Sequence, residues 1–143
     1  MKKRIAIVGA KGLPARDGIS RVVECYIPYL TDKYDITVYC TAAYTPRKSG
    51  DYDGYHEIVL SALWYYIKAC MHILFCAKYD IIHFHHCDSA FLYPLLKLKY
   101  GRRLLVTTHG AFHDQLNDKW KKYAWYFKLQ YNYFLKCANY ITG

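Results

Sequence analysis

The sequence predicts an α/β domain with a Rossmann-like parallel sheet and helices on both faces. Two observations lead to this fold class. Short β-branched or apolar runs recur along the 143 residues and alternate with segments whose apolar residues have helical spacing. The first run also ends in a glycine-rich loop followed by a helical pattern, which is typical of the start of a β-α-β unit. Strands that alternate with helices form parallel sheets with right-handed crossovers.

Five strands are predicted, each a short run bounded by polar or turn-forming residues. They are KRIAIV (3–8), DITVYC (35–40), DIIHF (80–84), RLLVTT (103–108) and NYIT (139–142).

Four helices are expected between these strands. The first follows Gly18 and places Val22, Val23, Tyr26, Ile27 and Leu30 on one face. Residues 41–55 are rich in turn-forming side chains and are predicted to be a loop, after which the apolar segment 58–77 is predicted to be a helix. A short helix is expected over 89–99, and a basic, aromatic helix over 120–137.

The apolar segment 58–77 has nearly the length of a membrane span. Lys68 and His72 lie in its middle, where a charge is costly in lipid. A buried crossover helix is therefore the favoured interpretation, and a helix lying on a membrane surface is the alternative.

Composition narrows the class of partner without choosing one. The formal net charge is +9, which favours anionic partners such as phosphorylated ligands or acidic lipids. No nucleic-acid-binding motif accompanies the charge, so nucleic acid is not expected as a partner. The six cysteines are scattered and no secretory signal precedes them, which indicates reduced thiols and a cytoplasmic location.

The first candidate loop spans residues 9–18 and contains Gly9, Gly12 and Gly18. Glycines let a backbone approach a ligand closely, and the start of a helix favours phosphate. The spacing is not G-x-G-x-x-G, and no acidic residue follows the second strand, so a dinucleotide cofactor is not predicted. A plain turn that needs glycine is the alternative.

The second candidate loop, HFHHCDS (83–89), holds three histidines and a cysteine. His83 and His85 share one face of an extended strand and His86 faces the other. No second pair of ligands at a metal-binding spacing exists, so no metal is predicted. Polar side chains at a strand end that line a cleft are the favoured interpretation.

The third candidate loop, TTHGAFHDQ (107–115), places His109 directly after a strand, with Gly110 beside it. An imidazole there can hydrogen-bond a sugar hydroxyl or a phosphate. A capped helix start near Asp114 is the alternative, and the residues alone do not decide between them.

Together these segments resemble the amino-terminal domain of a family 4 glycosyltransferase with the GT-B fold, of the bacterial rhamnosyltransferase-like type. The resemblance rests on KRIAIVGAKGLPARDG, DITVYC, YDIIHFHH and LLVTTHG in this order and spacing, and it covers essentially the whole chain.

The resemblance implies that this domain carries the acceptor, and that a carboxy-terminal domain holds most contacts to the nucleotide-sugar donor. His109 matches a histidine that touches the donor sugar near the reacting centre, and it is the predicted catalytic residue. Gly12 and Gly18 match the loop that faces the donor diphosphate. His85, His86 and Gly110 are further predicted substrate-binding residues. No metal or other cofactor is implied.

Three functions stay open at this point. The 143 residues are expected to form a single acceptor-side domain, with the donor-binding domain outside them. The first function is the acceptor-binding half of a glycosyltransferase of bacterial cell-surface polysaccharide synthesis. Its acceptor would be a glycan or a lipid-linked molecule, it would contact the anionic inner face of the plasma membrane, and it would be inactive without a donor-binding domain. A truncated, inactive fragment and a non-enzymatic membrane or binding module are the alternatives.

Overall fold

The computed structural model describes residues 1–85, 90–109 and 121–130, together with 132, 136, 138 and 140–142. Its strands are β1 (Lys3–Val8), β2 (Tyr34–Thr41), β3 (Gly50–Tyr52), β4 (Tyr55–Leu60), β5 (Ile81–Phe84), β6 (Leu104–Thr107) and β7 (Tyr140–Thr142). Its helices are α1 (Gly18–Leu30), α2 (Tyr65–Phe75), α3 (Tyr93–Tyr100) and α4 (Ala124–Leu129), with short 3-10 turns at Ala90–Leu92 and Gly101–Arg103.

The seven strands found in the described residues form one sheet in the order β3-β4-β2-β1-β5-β6-β7. Every neighbouring pair is parallel except β3 and β4. The strand order reverses direction at β1, because β2 and β4 lie on one side of it and β5, β6 and β7 on the other. The predicted Rossmann-like α/β class is thus confirmed, with one antiparallel edge strand added.

Two apolar clusters cover the two faces of the sheet. On one face, α1 buries Val23 and Ile27 against Ile5, Ile7 and Val38. On the other face, α2 and α3 bury a second set that includes Ala69, Ile73, Tyr93 and Leu96 against Ile82, Phe84 and Val106. Helices therefore lie on both faces of the sheet, as predicted.

The prediction of a loop over 41–55 was wrong at its end, because β3 and β4 form a hairpin there. The hairpin turns through Asp53 and Gly54, whose φ angles of 44° and 85° lie in the left-handed region. Asp-Gly between two strands is the strongest short-range signal for such a two-residue turn. The dipeptide was present in the sequence, but β3 has only three residues and no apolar alternation to accompany it.

The prediction of one helix over 58–77 was also wrong in its first part. Residues up to Leu60 belong to β4, which pairs with β2, and the helix begins only at Tyr65. The end of the strand (58–60), the connection and most of the helix form one largely apolar segment, so periodicity alone does not separate them. The α2 helix has 11 residues, and within the described part of the chain no helix is long and apolar enough to cross a membrane.

A buried ion pair fixes the connection between β2 and β3. Glu57 on β4 is fully buried, and a guanidinium nitrogen of Arg47 lies 3.7 Å from its carboxylate. The same guanidinium donates to the Tyr55 hydroxyl at 2.8 Å and lies over the Tyr52 ring. Since a buried carboxylate without a partner is costly, this pair ties the connection over 42–49 to the hairpin.

Candidate functional site

The candidate site lies at the carboxyl edge of the sheet, where β1, β5 and β6 end side by side. The backbone amide of His85 donates to the Val8 carbonyl at 2.8 Å and extends the β1–β5 ladder by one residue. Gly9 follows Val8 with a φ of 107°, and a Cβ on Gly9 would lie 3.3 Å from the His85 backbone. In open α/β sheets, ligands bind at this edge, near the point where the strand order reverses.

Gly12 lies in the loop between β1 and α1, where it packs against the connection that follows β2. A Cβ on Gly12 would lie 2.5 Å from the Tyr44 carbonyl oxygen. Next to this contact, the Thr45 hydroxyl donates to the Leu13 carbonyl at 2.6 Å. Gly12 is therefore required for close packing of two loops, a role that the sequence prediction of a ligand-facing glycine did not include.

Gly18 is the first residue of α1 and, unlike Gly12, is not packed against another loop. It is exposed, and a Cβ at this position would meet nothing within 4 Å. Asp17 caps the helix by accepting from the Ser20 amide at 3.0 Å and from the Ser20 hydroxyl at 2.7 Å. Of the two predicted loop glycines, Gly18 is thus the one at an accessible helix amino terminus, where an anionic group is favoured.

His83, His85 and His109 lie together on the α1 side of the sheet. His85 Nδ1 is 3.1 Å from His109 Nε2, and the two rings are stacked. His85 is buried and His109 is exposed. The prediction that His83 and His85 share a face is confirmed, since their ring centroids are 4.1 Å apart. His83 Nε2 lies 2.8 Å from the Thr107 hydroxyl.

Tyr26 is a site residue that the sequence prediction missed. Its hydroxyl lies 2.6 Å from His85 Nε2, and its ring stacks on the rings of both His83 and His85. The sequence placed Tyr26 on the apolar face of α1, which is where it lies. Nothing in the helical pattern showed that its hydroxyl would reach a histidine on a strand 59 residues away.

Burial keeps the two inner imidazoles neutral. It lowers the pKa of His85 to about 2, with a further contribution from the neighbouring His83 and His109 rings. It lowers the pKa of His83 to about 4, again assisted by His109. Each neutral imidazole carries one N–H and one acceptor nitrogen, so the hydrogen bonds of His85 are directional.

The ring nitrogens of these histidines point at different partners and do not converge on one point. Among the described residues, no group of three or more histidine, cysteine, aspartate or glutamate side chains is placed to hold a metal ion. Two predicted substrate-binding residues, His86 and Gly110, lie outside the described residues, and their roles stay predictions.

A further pocket lies at the other edge of the sheet, where the strands begin. It has a volume of about 660 Å³, and its lining includes Arg4, Asp35, His56 and His72. Of the predicted site residues that the structure describes, none lines this pocket. Because ligands of this fold class bind at the carboxyl edge of the strands, we assign the candidate site to the histidines there.

Comparisons with known proteins agree with the fold. A profile of Glycosyltransferase Family 4 matches residues 16–142. Among solved structures, the chain is similar to sucrose-phosphate synthase from Thermosynechococcus elongatus, with a TM-score of 0.73 and 14% sequence identity. The match covers 98% of this chain and 42% of that chain, so this chain spans less than half of the relative's length. This likeness confirms the predicted fold class, a Rossmann-like domain of the GT-B architecture. No curated protein sequence matches significantly.

The two loop glycines are expected to respond differently to alanine. Gly12→Ala pushes a methyl group into the Tyr44 carbonyl, and overpacking of this kind costs about 1–3 kcal/mol. Gly18→Ala adds a methyl group in open space at a helix start and is expected to change the free energy of unfolding by less than about 1 kcal/mol. Urea unfolding of both variants measures the difference. Equal destabilisation would contradict the packing role of Gly12.

Stability is expected to fall with decreasing pH because His85 stays neutral in the folded state. The unfolded chain takes up a proton below its ordinary histidine pKa of 6.5, whereas the folded chain does so only near pH 2. Lowering the pH from 7 to 5 therefore decreases the free energy of unfolding by about 2 kcal/mol. The wild type should therefore lose about 2 kcal/mol more than His85→Asn over this interval in urea unfolding. Equal losses would show that folded His85 binds the proton.

Proposed function

The chain belongs to glycosyltransferase family 4, and we propose that it is the acceptor-side domain of an enzyme that transfers a sugar from a nucleotide-sugar to an acceptor. The observation that carries the proposal is the exposed His109, placed at the carboxyl edge of a sheet whose sequence matches this family over residues 16–142. The proposed acceptor is a glycan or a lipid-linked molecule of bacterial cell-surface polysaccharide synthesis. The proposed location is the cytoplasm, at the inner face of the plasma membrane.

His109 is the proposed contact to the reacting sugar. Its ring lies at the end of β6, and its Nε2 is held by His85 from the protein side. An imidazole in this position can hydrogen-bond a sugar hydroxyl and orient the sugar for attack by the acceptor. Stabilising the transition state in this way requires a side chain that is fixed before the substrate arrives, which the contact with buried His85 provides.

The phosphate side of the donor is proposed to lie near the start of α1. Gly18 is exposed there, and the 13-residue helix presents its amino terminus to the same edge of the sheet. Amide groups at a helix start attract phosphate oxygens. Most other donor contacts are proposed to come from a second, donor-binding domain, in line with the 42% share of the similar solved structure that this chain covers.

A membrane contact is proposed through the outer surface of α2 and α3. Neither helix contains an acidic residue. Several large apolar side chains in and next to these helices are exposed: Leu63, Trp64, Met71, Phe75, Phe91, Leu95 and Leu98. Exposed basic residues accompany them: Lys68, Lys78, Lys99, Arg102 and Arg103. Apolar side chains flanked by positive charge are typical of a surface that binds anionic lipid.

Replacing His109 tests the transfer activity. In the enzyme assembled with its donor-binding domain, His109→Ala is expected to lower kcat for transfer from UDP- or dTDP-sugars about 10- to 100-fold, since it removes one hydrogen bond to the reacting sugar. His56→Ala, at the opposite edge of the sheet, is the control and should retain activity. Unchanged transfer by His109→Ala would contradict the role of His109. If the wild type neither bound nor turned over any sugar nucleotide, the proposed transferase activity would be contradicted.

Replacing the exposed apolar residues tests the membrane contact. Phe75 and Leu98 are 76% and 85% exposed, and Tyr29, on the helix of the other face, is 82% exposed. Phe75→Glu with Leu98→Glu should weaken binding to phosphatidylglycerol vesicles about tenfold or more, because apolar burial is lost and negative charge is added. Tyr29→Glu is the matched control. Binding that is equal in all three proteins, measured by vesicle co-sedimentation, would contradict this surface.

A further inference from the structure

Tyr26, His85 and His109 form a continuous row of hydrogen-bonding side chains, which we call the histidine chain. It begins with the Tyr26 hydroxyl at 2.6 Å from His85 Nε2 and continues from His85 Nδ1 to His109 Nε2 at 3.1 Å. Both nitrogens of His85 are therefore engaged, one towards α1 and one towards the exposed edge. We propose that Tyr26 and His85 are positioning residues that hold His109 in the tautomer with its proton on Nδ1.

The direction of the hydrogen bonds in the histidine chain follows from the acidity of the groups that form them. A neutral imidazole has one N–H, so either Tyr26 donates to His85 and His85 donates to His109, or both bonds run the other way. A phenol is a stronger acid than a neutral imidazole N–H, and an imidazole nitrogen is a better acceptor than a phenol oxygen. Burial raises the pKa of Tyr26 further, so its hydroxyl keeps the proton that it donates.

The consequences pass along the chain in two steps. His85 accepts at Nε2, so its single proton is on Nδ1 and is donated to His109 Nε2. His109 accepts there, so the proton of its neutral ring is on Nδ1. The charged alternative for His85 is disfavoured, because burial and the neighbouring His83 and His109 rings lower the pKa of His85 to about 2.

The packing around the chain restricts His85 to this arrangement. The His85 amide is bound to the Val8 carbonyl, and the side chain is only 1% exposed. The Tyr26 ring stacks on the His85 ring with a centroid distance of 5.7 Å, and the centroid of the His83 ring lies 4.1 Å from that of His85. A flip of the His85 ring would exchange a nitrogen for a carbon at both ends and break both contacts.

Nitrogen-15 NMR of histidine side chains tests the proposal without any substrate. In the wild type at neutral pH, His85 should show a protonated Nδ1 and an accepting Nε2, and the neutral form of His109 should do the same. In Tyr26→Phe, the two His85 shifts should move towards each other, because both tautomers become populated. Tyr39→Phe is the matched control, since it removes the same hydroxyl from a second tyrosine–histidine pair, with His72 Nδ1 at 2.8 Å.

Two replacements of His85 test the roles of its two ring nitrogens separately. Asparagine places its amide near the position of Nδ1 and can still donate to His109, whereas glutamine places its amide near the position of Nε2. His85→Asn should therefore keep the Nδ1 proton of His109, and His85→Gln should lose it. The functional consequence rests on the proposed transfer activity: His85→Gln and Tyr26→Phe should lower kcat about tenfold with little change in KM, and His85→Asn should retain most of kcat.

The outcomes distinguish the positioning role from the proposed function. A wild-type His85 with its proton on Nε2, or a Tyr26→Phe variant with unchanged His85 and His109 shifts, would overturn the proposal. If the shifts change as expected but the wild type transfers no sugar, the histidine chain stands and the proposed activity fails. If His85→Asn and His85→Gln reduce kcat equally although only the first keeps the His109 tautomer, His85 does not act through that proton.

Discussion

The close approach of β1 and β5 at their carboxyl ends is the constraint on which the candidate site depends. The His85 amide donates to the Val8 carbonyl, and Gly9 leaves the strand with a positive φ at a point where a Cβ would lie only 3.3 Å from the His85 backbone. This junction carries the chain into the loop that leads to α1, and it places the His85 side chain under Tyr26. From there the exposed His109 ring is held at the edge of the sheet.

The sequence predicted most of the sheet because its central strands are short apolar runs with clear ends. β1 and β2 were located within a residue or so, and β5 and β6 lay within their predicted ranges. The β3–β4 hairpin was missed because β4 runs into an apolar connection and then into α2, so that one apolar segment contains two elements. Glu57 added to the difficulty, since a fully buried carboxylate interrupts the apolar pattern of β4, and the charge that compensates it is on Arg47, ten residues earlier.

The site was predictable in its location but not in its connections. His85 and His109 were each predicted at the end of a strand, and the structure brings their rings together at the carboxyl edge. Two features depend on tertiary contacts that spacing does not encode. Tyr26 reaches His85 from a helix, and the packing of Gly12 against Tyr44 joins two loops that are far apart in sequence. Both show how residues that look like core or turn positions support a functional edge.

The central claim is that a nucleotide-sugar binds at the carboxyl edge of the sheet, in contact with His109. The most direct measurement is the change in histidine side-chain NMR shifts when a UDP- or dTDP-sugar is added to the protein assembled with its donor-binding domain. The account predicts that the His109 resonances move, while those of His56 and His72, which line the pocket at the opposite edge, stay in place. Shifts of His56 and His72 with none at His109 would contradict it.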